Sequence, residues 1–104
     1  MTTLQATPFA PGVLRPQDAA VRIGQHVTVE GTVWVHVKGG ATFLDMGGDY
    51  PNQALAVVIW PEDEGQFGNV TAFDGKTIAV SGVIQMFNGV PEIVIHQKSQ
   101  LRAR

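Results

Sequence analysis

A long alternation of apolar and polar residues marks the segment from His26 to Lys38. Valines occupy positions 27, 29, 33, 35 and 37, while Thr28, Glu30, Thr32, Trp34, His36 and Lys38 fill the even positions. A period of two is that of a half-buried β-strand, with one face on a core and the other open. Gly31 interrupts the pattern and predicts a bulge or sharp coil, which leaves the facing of residues 26–30 less fixed than that of 32–38. Trp34, His36 and Lys38 therefore share the open face.

The remaining pattern predicts four more strands. Gly39-Gly40 is a turn, and residues 42–46 form a short second strand. A turn-rich loop over 47–53 leads to a third strand at 54–60. Pro61 suits the first position of a short helix over 62–69, ended by Gly68-Asn69. Phe67 and Phe73 would plug the core from that connector. After Asp74-Gly75, residues 76–87 make a long fourth strand in which Gly82 mirrors Gly31. Asn88-Gly89 is the strongest hairpin signal, and residues 91–96 form the fifth strand. Upstream, residues 16–23 predict one or two helical turns, with Asp18 near the start and Gly24 as the stop.

Five strands with a helical connector between the third and fourth make an all-β protein of the OB-fold type, a small Greek-key barrel with a short N-terminal helical turn. An SH3-like barrel is the competing architecture, but it lacks that connector. The domain is expected to span residues 16–101. A flexible arm, 1–15, would precede it, with Phe9, Val13 and Leu14 docking at its end, and a short tail, 102–104, would follow.

At 104 residues the chain is long enough for one domain with its own core. It contains no cysteine, which excludes a disulfide scaffold, a thiol nucleophile and a cysteine-ligated zinc site. The first twenty residues show neither the basic nor the apolar part of a signal peptide. Cytoplasmic location is the default expectation, and a mature exported domain stays open. No apolar run approaches a membrane span, so no membrane partner is expected. The net charge of −2 argues against strong sequence-independent DNA binding.

Three stretches, 24–33, 42–60 and 75–95, resemble small bacterial OB-fold domains found alone or attached to nuclease-like modules. The hairpin Asn88-Gly-Val-Pro-Glu-Ile93 is similar to the closing hairpin of many OB-fold nucleic-acid binders. The resemblance covers about residues 16–101 and implies a binding module rather than an enzyme. Asp45 and Asp49 depart from it by adding negative charge near the middle strands.

In the OB arrangement ligands lie across the second and third strands, between the loops joining strands one to two and four to five. The expected nucleic-acid contacts are Trp34, His36, Lys38, Phe43, Tyr50, Gln85, Phe87 and Asn88, with Trp60 and His96 at the margin. Rings would stack bases, while Lys38 and His36 would meet the backbone. Bland roles compete at several positions. Trp34 suits burial under the arm or in a subunit interface, Tyr50 would pin its loop, and either Phe43 or Leu44 faces inward. The histidines lack ligand spacing and no nucleophile or phosphate-loop motif occurs, so no metal, cofactor or catalytic residue is expected. Weak binding of single-stranded nucleic acid is the leading expectation. A protein-interaction or self-association module with no nucleic-acid role is the alternative.

Overall fold

The computed structural model describes residues 12–104. Phe9 and the rest of the arm through residue 11 lie outside them. The strands are β1 (Val13–Leu14), β2 (His26–Lys38), β3 (Ala41–Met46), β4 (Leu55–Ile59), β5 (Thr77–Val83), β6 (Gln85–Phe87), β7 (Val90–Val94) and β8 (Leu101–Ala103). They form one sheet in the order β6-β7-β4-β3-β2-β5-β8, with β1 parallel to β2. All neighbours on that path are antiparallel except β4 and β7, which run parallel.

Two continuous runs close the sheet into an OB-fold barrel. The first half of β2 pairs with β5, from His26 opposite Val83 to Thr32 opposite Thr77. Its second half pairs with β3, from Val33 opposite Met46 to Lys38 opposite Ala41. Likewise the run Thr77–Phe87 pairs with β2 first and with β7 last. Ile84 is the hinge between these partners and exchanges backbone hydrogen bonds with Gly24 and Gln25.

Gly31 does not form a bulge, because the pairing of β2 with β5 passes through it without a slip. Its lack of a side chain makes room for the 3-10 turn Pro16–Val21, since a Cβ there would stand 2.7 Å from Pro16 Cγ. Gly82 serves the same purpose across the barrel, where a Cβ would meet Ile93 Cγ2 at 2.6 Å. Alternation therefore holds along β2, with Val29 and Val33 fully buried.

Inward residues of every long strand fill the core, among them Leu44, Met46, Val57, Ile78, Val80 and Ile93. Phe67 and Val70 join the core from the connector between β4 and β5, and Phe73, partly buried, packs against the core. The connector between β4 and β5 consists of two 3-10 turns, Pro61–Gln66 and Val70–Phe73. Gly68, at φ +71°, separates them and prevents one continuous helix. Met86 is half exposed. Residues 85–87 run past the start of β2 and pair only with β7, so nothing from β2 covers them. Among the described residues no helix is long and apolar enough to cross a membrane.

Candidate nucleic-acid interface

The outer face of β3, β4 and β7 carries a groove of about 390 Å³. Its lining includes Lys38, Phe43, Tyr50, Gln53, Ala56, Phe87, Asn88 and Glu92. Strand register builds the floor, because Asp45 lies opposite Ala56 and Ala56 lies opposite Glu92. Ala56 is the small residue in that row, and its missing bulk leaves the groove open.

Three turns raise the walls. Gly39 and Gly40, both at positive φ, join β2 to β3 in a two-residue turn and leave Lys38 at the rim. Asn88 (φ 51°) and Gly89 (φ 79°) make the equivalent turn between β6 and β7. Positive φ at both central residues matches the twist of a hairpin, as the Asn-Gly sequence requires. That turn sets Phe87 and Asn88 on the far wall, and Phe87 is 56% exposed. The third wall is the loop between β3 and β4. At its base a Cβ on Gly47 would stand 2.6 Å from Ala54 Cβ, so only glycine allows the pinch. Pinched in this way, the loop folds back and brings Tyr50 over the sheet.

An aromatic cluster joins these walls. His36 and Phe43 are cross-strand partners, and their rings stack at 4.9 Å with planes 9° apart. The Tyr50 ring lies 5.4 Å from His36 and tilted. Lys38 Nζ sits 5.4 Å above the Tyr50 ring centroid, within cation–π range.

Beneath the cluster the chemistry is acidic. Asp45 is completely buried although it points to the outer face. Its Oδ2 lies 2.9 Å from His36 Nδ1, but the alignment is too poor for a hydrogen bond, and neither carboxylate oxygen has another partner among the described residues. Burial pushes the Asp45 pKa up to about 6; His36 opposes the rise and Asp49 adds to it. Gln53 Oε1 is also buried without a partner among the described residues. Glu92 is 5% exposed, and its Oε1 accepts a hydrogen bond from Gln85 Nε2 at 3.0 Å.

The structure thus brings Lys38, Phe43, Tyr50, Phe87 and Asn88 to one groove, with His36 against Phe43 and Gln85 held to Glu92. Phe43 faces outward and Leu44 inward. Trp34 shares the face of His36 but lines a neighbouring hollow with Pro16 and Gly47. Trp60, 37% exposed, stands at the end of β4. His96 is turned to Asp63, with Nδ1 2.7 Å from Oδ2. Sequence reasoning missed Gln53, Ala56 and Glu92. The uniformly apolar run Leu55–Ile59 hides which residues face out, and only the register reveals the row. Among the described residues no group of three His, Asp or Glu side chains could hold a metal ion.

No protein-family model and no curated protein matches the sequence. Solved structures do resemble the fold. The Stn1-ten1 complex of S. pombe matches with a TM-score of 0.57 at 17% identity, over 76% of this chain and 57% of that one. Asparaginyl-tRNA synthetase from Pyrococcus horikoshii matches with a TM-score of 0.57 at 16% identity, over 88% of this chain and 23% of the synthetase. An OBody bound to hen egg-white lysozyme, AM2EP06, matches with a TM-score of 0.58 at 13% identity, over 93% of this chain and 96% of the OBody. At these identities the likeness is one of fold.

Proposed function

We propose that this chain is a non-enzymatic OB-fold module that binds single-stranded nucleic acid weakly through the groove on β3, β4 and β7. One observation carries the reading: three aromatic rings and one ammonium converge on a single groove. Phe43, Tyr50 and Phe87 would stack bases, at roughly 1–3 kcal/mol per base, and Lys38 would meet a phosphate. Asn88 would contact the backbone or a base edge. His36 supports the Phe43 ring, and Gln85 orients Glu92. Trp34 would meet a strand long enough to run on from His36. The similarity to a tRNA synthetase fits this use of the fold but does not establish it. Membership of a bacterial, nuclease-attached group rests on sequence motifs alone.

Titration of a labelled single-stranded octanucleotide at low salt, read by anisotropy, tests the proposal. Saturable binding in the micromolar range is expected. No binding at high micromolar protein would overturn it.

A second reading is a protein-docking or self-association module, favoured by the balance of charge. Among the described residues Asp45, Asp49 and Glu92 lie on or beside this face against the single cation Lys38, an arrangement that suits a basic partner better than a polyanion. The protein-bound OBody is a precedent for the fold in that role. A stable dimer in solution that covers Phe87 would favour it.

A further inference from the structure

We infer that the groove prefers guanine among the bases, with Glu92 as the residue that reads it; this rests on the nucleic-acid reading above. The floor carries acceptors where a neutral groove would carry amides or hydroxyls. Glu92 is nearly buried at the centre of the outer row, directly opposite Ala56. One of its oxygens accepts from Gln85, which fixes the carboxylate plane, and Oε2 has no hydrogen-bond partner among the described residues. Gln53 brings to the same lining a further buried oxygen that has no partner among the described residues.

An ionised carboxylate only accepts, and it can take two parallel N–H donors. Guanine presents two adjacent donors on one edge, N1–H and the 2-amino group. Thymine and uracil present one donor between two carbonyl oxygens, and a carboxylate repels both oxygens. Cytosine and adenine each pair one amino donor with a ring-nitrogen acceptor. Only guanine satisfies the carboxylate twice with no acceptor facing it. A base that lacks the second donor displaces water from this nearly buried carboxylate without replacing its hydrogen bond, which raises the penalty for the wrong base. Ring walls on either side would hold the base plane upright over Ala56.

The test uses thymidine pentamers whose central base is thymine, guanine or hypoxanthine, titrated against the full chain at low salt. A single guanine should tighten binding about tenfold over all-thymine, the lower range for a bidentate contact. Hypoxanthine, which keeps N1–H but lacks the amino group, should fall between them. In Glu92→Gln, with its fold checked by circular dichroism, the guanine-to-thymine affinity ratio should collapse toward one. Equal affinities for all pentamers would overturn the guanine preference and leave the nucleic-acid reading standing. A preference that survives Glu92→Gln would overturn the assignment to Glu92. No binding of any pentamer would remove both readings.

Discussion

His36 Nδ1 and Asp45 Oδ2 stand 2.9 Å apart on adjacent strands, yet they are not aligned as a hydrogen bond. Asp45 is therefore a fully buried carboxyl with electrostatic help from one neighbour and none from aligned donors. Burying a charge this way costs stability, and the group responds by holding its proton.

That proton makes the stability of the fold depend on pH. Asp45 binds it more tightly folded than unfolded, because its pKa rises from 3.8 to about 6. Its contribution to stability is full below pH 3.8 and is lost as pH rises through 6. The loss is on the order of 3 kcal/mol. Asp45→Asn should remove this slope, so the difference in unfolding free energy between variant and parent should change across that window and level off above it. Urea denaturation at several pH values measures it; a difference independent of pH would contradict the account.

Phe87 is the most exposed of the groove rings and makes little of the core. Phe87→Ala should weaken oligonucleotide binding by about 1–3 kcal/mol. Stability should shift by no more than about 0.5 kcal/mol, as for surface residues generally. Anisotropy and thermal melting of the same variant separate the two effects.

Salt dependence should be shallow. Among the described residues Lys38 is the one cation lining the groove, so about one phosphate is neutralised. The slope of log K against log salt should then lie near −0.7, the value for one contact on a single strand. A slope several times steeper would mean that cations elsewhere hold the strand.

Gly31 tests the packing explanation for its place in β2. Gly31→Ala should destabilise by about 1–3 kcal/mol, because Pro16 is a rigid ring and cannot swing aside. Gly65→Ala has open space around its Cβ and should be neutral or slightly stabilising. Equal effects in the two variants would reject the Pro16 contact as the reason.

Much of the fold was legible in the sequence because its signals are local. The alternation of β2, the Asn88-Gly89 turn and the stop at Gly68 each act over a few residues. Gly31 was misread because a bulge and a close neighbour leave the same mark, a missing side chain within a strand. The neighbour, Pro16, is distant in sequence. The site was legible in part for a similar reason. Rings and Lys38 stand out by residue type, whereas Ala56 and Glu92 gain meaning only from pairing across β3, β4, β7 and β6. Trp34 was placed correctly on the open face of β2, but alternation does not specify which hollow a ring on that face enters.

In the proposed complex the ligand strand lies in the groove on β3, β4 and β7. Amide chemical shifts followed during titration with a guanine-containing pentamer at low salt test it most directly. The account predicts the largest changes at Lys38, Phe43, Gln53, Ala56, Phe87, Asn88 and Glu92, with little change at β8. Shifts confined to β8 or to the connector between β4 and β5, or none at saturating oligonucleotide, would contradict it.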